Sequence, residues 1–207
     1  MSIMNQRTMT NQYSESINDV DLRKLPLLQF DGRVTLVDTL DKFRRAMADI
    51  GQPEILGFDT ETRPSFKKGR RYKVALLQLA DANRAWLFRL NMIGLPSELA
   101  GLLSNKNIIK TGVAIHDDIK ALRALTPFEP HGFLDLQSVV ADHGIKELGL
   151  KKLSAIILGY SISKSQQVSN WEAPALTEPQ QLYAATDAWV CRCIYLALNG
   201  RENNHDN

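Results

Sequence analysis

Apolar and polar positions along this chain change their period several times, and each change predicts an element. Arg33–Val37 alternates as a half-buried strand does. Leu40–Ile50 spaces its apolar residues along one helical face and is closed by Gly51 and Pro53. Strand-like runs follow at Ile55–Thr62, 73–80 and 84–90. Their short connections predict antiparallel neighbours, although the 63–72 loop is longer than a tight hairpin needs. A helix over 96–103 leads to a strand over 107–113 and a helix over 115–125, and further helices are expected over 136–144, 149–158 and Glu178–Leu198. The last has a full start signal, with Thr177 as N-cap, Pro179 in the first turn and Gln180 three residues on. Early strands, late helices and one αβα crossover predict a three-layer α/β fold, with a mixed central sheet flanked by helices.

The 207 residues fit one domain: a polar, disordered arm over 1–16, an ordered body over 17–198 and a polar tail over 199–207. The first residues lack the apolar centre of a secretory signal, so a cytoplasmic address is expected. No uninterrupted apolar run reaches membrane-spanning length, and no membrane partner is expected. A net charge of +2 is too small to argue for nucleic acid by itself. Cys191 and Cys193 point to opposite sides of a predicted helix, so they share neither a metal nor a disulfide within it and read as buried thiols. The four histidines have no zinc-ligand spacing.

Chemistry enters with four carboxylates in apolar company. Asp59 and Glu61 lie in LGFDTET, Asp118 in GVAIHDDIKAL and Asp187 in LYAATDAWVCRCIYLAL. A buried carboxylate neutralises or finds a cation, and four that converge would suit Mg²⁺ or Mn²⁺. Strand parity places Asp59 and Glu61 on one face, with Phe58 and Thr60 on the other. A solvated strand end would explain the pair equally well. At about 100° per residue, Ile115, Ile119, Leu122 and Leu125 share an arc that includes Asp118, while Asp117 falls nearly opposite. The positive N-terminal end of the helix explains Asp117 well and Asp118 less well. From Gln181 to Leu198 the only charged residues are Asp187 and Arg192, and Tyr183 shares the face of Asp187. A purely structural Tyr–Asp hydrogen bond is the plain alternative.

The segments FDTET, KVALLQLA, GVAIHDDIKAL and SNWEAPALTEPQQLYAATDAW, in this order and spacing, resemble the 3′-to-5′ exonuclease family with four acids and a tyrosine, the group of ribonuclease D and the Werner-syndrome exonuclease domain. The likeness runs from about Leu27 to Leu198 and makes 17–198 the exonuclease domain. Tyr183-x3-Asp187 matches the tyrosine branch; the histidine branch would place His where this chain has Leu182. The resemblance implies a ribonuclease H-like fold and a pair of divalent ions, Mg²⁺ or Mn²⁺. It also implies hydrolysis of DNA or RNA from a free 3′ end, releasing 5′-mononucleotides. By position, Asp59 matches the acid that bridges both ions, and Glu61 and Asp187 match ligands of the ion that activates water. Asp118 matches the outer ligand of the second ion, directly or through water. The family's Gly-Val-x-Ile-x-x-Asp pattern selects it over Asp117, as the helix angle does. Tyr183 matches the residue that orients the attacking water, which suits a phenol whose ordinary pKa, about 10, makes it a poor base.

Beside the first acids, Arg63, Lys67, Lys68, Arg70, Arg71 and Lys73 follow one another without an acid among them. Such a loop suits a phosphate backbone, and equally a solvated hairpin. Phe66 and Tyr72 would stack on bases or pack locally. Trp171 would wall the substrate channel or fill the core, and His116 is expected to be exposed. Two rivals stay open: a binding or scaffold module of the same fold without activity, and a phosphoesterase for small phosphorylated molecules.

Overall fold

The computed structural model describes residues 13–65 and 72–200. Its strands are β1 (Arg33–Val37), β2 (Ile55–Thr62), β3 (Val74–Ala80), β4 (Arg84–Arg89), β5 (Ile109–Gly112) and β6 (Phe133–Asp135). Its helices are α1 (Asp19–Lys24), α2 (Leu40–Ile50), α3 (Leu90–Ile93), α4 (Ser97–Leu103), α5 (His116–Arg123), α6 (Leu136–Asp142), α7 (Leu150–Leu158) and α8 (Glu178–Leu198).

The strands form one mixed sheet in the order β1-β4-β3-β2-β5-β6. β2, β3 and β4 are antiparallel neighbours, as their short connections predicted. β1 joins β4 in parallel, and β5 and β6 extend the other side of β2 in parallel. Every residue of β3 is buried, which explains why its sequence, VALLQLA, reads as a nearly continuous apolar run rather than an alternation. On one face, Phe58, Leu77, Leu79 and Trp86 pack with Phe43 of α2, Leu99 of α4 and Leu122 of α5. On the other, Leu76 and Leu87 meet Tyr183 and Ala184 of α8, while Ala80 and Ala85 meet Ala185 and Ala188. The predicted three-layer architecture is the observed one.

The long helix starts where its capping signals place it and runs to Leu198 as expected: Thr177 accepts from the Gln180 backbone and Gln180 accepts in return. Shorter elements differ. The expected strand over 107–113 keeps only Ile109–Gly112: its first residues form a turn, with the Ile108 amide donating to the Asn105 carbonyl at 3.4 Å, and the chain turns again at Ala114, whose φ is +57°. α1, α3 and β6 are too short to imprint a period and were not expected. The arm expected over 1–16 is corrected at its inner end. Tyr13 packs edge-on against His143 at 5.9 Å, and Glu15 pairs with Lys146 at 2.6 Å. Residues 1–12 and 201–207 lie outside the described part. Among the described residues no helix is long and apolar enough to cross a membrane.

Candidate active site

Where β2 meets α8, the residue that decides the geometry is a glycine. A Cβ on Gly57 would lie 1.8 Å from the carbonyl oxygen of Ala188, so only glycine lets the helix approach the strand this closely. That approach delivers Asp187 to the face where strand parity puts Asp59 and Glu61. Carboxylate oxygens of the three acids lie within 4.8 Å of one another. Asp187 is only 4% exposed, and Asp59 and Glu61 are half-buried.

Burial is the main reason that all three resist ionisation, and mutual repulsion adds to it for the β2 pair. Asp59 is held well above the usual carboxylate range by desolvation, then by Asp187 and Asp118. Glu61 is pushed up to about 9 by desolvation and then by Asp59, Asp187 and Asp118. Asp187 rises to about 6 through burial, opposed by a hydrogen bond from Tyr183 and by the charge of Lys164. One of its oxygens, Oδ1, is buried without a hydrogen-bond partner among the described residues.

Tyr183 sits one turn before Asp187, buried, with its ring tilted against Trp171 at a centroid distance of 6.0 Å. Burial and the neighbouring Asp187 and Glu61 push its phenol far above the usual value, so it stays neutral and donates to Asp187. Trp171 is fully buried, which assigns it to the core behind Tyr183. His116 is exposed.

Asp118 lies outside the three-acid cluster. As the helix angle predicted, it is partly buried while Asp117 is exposed. Its carboxylate accepts a hydrogen bond from the Thr60 hydroxyl, on the side of β2 away from Asp59 and Glu61. Burial raises its pKa and the Thr60 bond opposes that. The structure therefore gathers Asp59, Glu61, Asp187 and Tyr183, with Asp118 close enough to repel the first two.

Three contributors escaped the sequence reading. Asp135, at the end of β6, accepts from the backbone of Ala114 and Ile115 at 3.1 Å each and of Gln137 at 2.9 Å. It thereby holds the left-handed turn from which α5 presents Asp118; a three-residue strand left no pattern that would reveal it. Gln78 pairs with Asp59 across β2 and β3, is fully buried, and neither amide atom meets a hydrogen-bond partner among the described residues. Its signal was available: it is the one polar residue in VALLQLA. Lys164 lines the acidic cleft, of about 330 Å³, together with Asp59, Glu61, Tyr183 and Asp187. It too had a signal, as the only charged residue between Leu153 and Trp171.

Of the expected nucleic-acid contacts, Lys67, Lys68, Arg70 and Arg71 lie outside the described residues, as does Phe66. Lys73 is exposed and borders a groove of about 950 Å³. Arg63 pairs with Glu172 at 3.4 Å and lies over the Tyr72 ring at 5.1 Å.

The donor set fits a hard divalent cation. Three carboxylates converge, burial disfavours their ionisation, and an oxygen of Asp187 has no hydrogen-bond partner among the described residues. A bound cation would reverse each of these penalties.

A mixed, helix-flanked sheet carrying acids where β2 meets α8 defines a ribonuclease H-like fold. The chain belongs to the 3′-5′ exonuclease family: the model of that family matches residues 34–201. It is 32% identical over 209 residues to the bifunctional 3′-5′ exonuclease/ATP-dependent helicase WRN of Mus musculus, covering 96% of this chain and 15% of that protein. Among solved structures, the Nibbler EXO domain of Aedes aegypti is 26% identical, with a TM-score of 0.72 over 81% of this chain and 88% of that one. Ribonuclease D of Trypanosoma brucei, in complex with RNA U12, shares the fold at 19% identity and a TM-score of 0.73, over 86% of this chain and 65% of that one. The chain spans between 15% and 51% of the length of the first curated relatives it matches.

Proposed function

We propose that this protein is a metal-dependent 3′-to-5′ exonuclease that hydrolyses phosphodiester bonds of DNA or RNA and releases 5′-mononucleotides. The observation that carries the reading is the convergence of Asp59, Glu61 and Asp187, with Tyr183 one helical turn before the last. These acids would hold two divalent ions, Mg²⁺ or Mn²⁺, with Asp118 completing the set from α5. When bound, such a pair lowers the pKa of a water nucleophile and compensates charge on the leaving oxygen.

The chain's own residues do the rest. Gly57 sets the spacing between β2 and α8, and hence between the acids. Tyr183, kept neutral by its surroundings, is a donor rather than a base, suited to orienting water and to fixing the Asp187 carboxylate. Trp171 backs its ring. Arg63, Lys73 and the cationic stretch between them would meet the phosphate backbone. The exonuclease activity named for the mouse relative and the RNA bound to the trypanosome neighbour support a nucleic-acid substrate with a free 3′ end.

The test is mononucleotide release from matched single-stranded, recessed and blunt DNA and RNA, with Mg²⁺ or Mn²⁺ and with EDTA. EDTA-sensitive release of 5′-mononucleotides is expected. Binding without release would favour the inactive module, and turnover of a generic phosphate monoester in place of oligonucleotides would favour a small-molecule phosphoesterase.

A further inference from the structure

We infer that Lys164 binds the phosphodiester at the chain end that enters the acidic cleft, placing its ammonium group on a non-bridging phosphate oxygen. This rests on the exonuclease reading and adds a substrate contact to it.

Lys164 is the only cation among the described residues lining the cleft that holds Asp59, Glu61, Tyr183 and Asp187. Its side chain is exposed and forms no salt bridge among the described residues, although its charge reaches all three acids. The loop that carries it is well tied. The Ser163 hydroxyl donates to that of Ser165 at 2.9 Å, the Ser165 amide bonds back to Ser163, and the Gln167 amide donates to the Lys164 carbonyl at 3.2 Å. The lysine is therefore presented from a defined turn over the cleft mouth.

A lone cation so placed has two possible uses: counter-ion to the acids or anchor for an anionic substrate. The counter-ion role fits poorly. A group serving it would contact a carboxylate directly, and divalent cations would displace it. A compact, well-hydrated ammonium on a flexible stem is instead a good point-charge anchor for phosphate. Its surroundings agree. Gln167 lines the same cleft, while Ser163 and Ser165 line an adjoining pocket of about 350 Å³ that also reaches Tyr183 and Asp187. Lys164 thus stands between two cavities that share both residues, where a terminal nucleotide and its 5′ phosphate would meet the acids.

The experiment measures binding of a single-stranded, 3′-hydroxyl oligonucleotide with phosphorothioate terminal linkages, by fluorescence anisotropy in Mn²⁺ across a salt series. Wild type is compared with Lys164→Ala and Lys164→Arg, and Mn²⁺ affinity is measured by calorimetry without nucleic acid. Lys164→Ala is expected to weaken oligonucleotide binding about tenfold, the loss of one charged hydrogen bond. It should also lower the salt slope by about 0.7, one single-strand phosphate contact. Lys164→Arg should restore the slope, and neither change should weaken Mn²⁺ binding. An unchanged slope and affinity in Lys164→Ala, with tighter Mn²⁺ binding, would make the lysine a counter-ion and overturn the inference. If wild type binds but releases no mononucleotide, the exonuclease reading fails while the slopes still decide Lys164. If wild type does not bind, both fall.

Discussion

On one face of β2, Asp59 and Glu61 meet Asp187 of α8 with carboxylate oxygens inside 4.8 Å; on the other, Thr60 donates its hydroxyl to Asp118 of α5. Both faces bring an acid from a helix onto the same strand and burial raises the pKa on both, yet they differ in how many like charges meet. The α8 face concentrates like charge, pushes Glu61 up to about 9 and leaves Asp187 Oδ1 without a hydrogen-bond partner among the described residues. On the α5 face Asp118 stands outside the three-acid cluster; burial raises it, Asp117 and Asp135 add to that, and the Thr60 hydroxyl opposes it. Such crowding destabilises the cation-free fold and would be relieved by a bound cation, while the second face holds its acid on the Thr60 donor.

The sharpest way to break this contrast is Asp187→Asn. Mononucleotide release should fall below about a thousandth of wild type, about 4 kcal/mol of transition-state stabilisation. The melting temperature without metal should rise, because one of the crowded carboxylates is gone. Gly57→Ala should separate β2 from α8 and destabilise the protein by about 3 kcal/mol in denaturant titration, as over-packing against backbone does. It should also abolish the Mn²⁺-induced rise in melting temperature. Tyr183→Phe should lower kcat about a hundredfold while calorimetry shows Mn²⁺ affinity within about twofold of wild type.

A pH series sharpens the comparison further. The folded pKa values of the α8-face acids lie above their unfolded values, so their contribution to stability is full below about pH 4. It is lost as pH rises through the Asp187 value near 6 and then the Glu61 value near 9. The cation-free melting temperature should therefore fall between pH 5 and pH 9 by way of these groups, and the Mn²⁺-induced rise should grow over the same range. Glu61→Gln should flatten the upper half of that fall. The smallest effect belongs to the other face. Thr60→Val removes the donor to Asp118 and should cost about 1 kcal/mol in denaturant titration, with the Mn²⁺-induced rise retained.

Local rules made a good part of this site legible. A period of two puts Asp59 and Glu61 together, helical angle separates Asp118 from Asp117, and the capping box fixes where α8 starts and hence which turn holds Tyr183 and Asp187. Less legible was anything that depends on which elements become neighbours. The Asp135 clamp needs β6 beside β5. The isolation of Gln78 needs α8 laid over β3, and Lys164 needs the loop after α7 to fold over the acids.

The sequence by itself determined the mixed α/β architecture, the family and the acids that face together within one element, because these follow from periodicities and motifs carried along the chain. Only the tertiary structure decided that three acids share one cluster while Asp118 turns to Thr60, and that Lys164 stands over them. Side-chain convergence depends on how closely β2 and α8 approach. That distance is set by the missing Cβ of Gly57 against the Ala188 carbonyl, a contact between residues far apart in the chain.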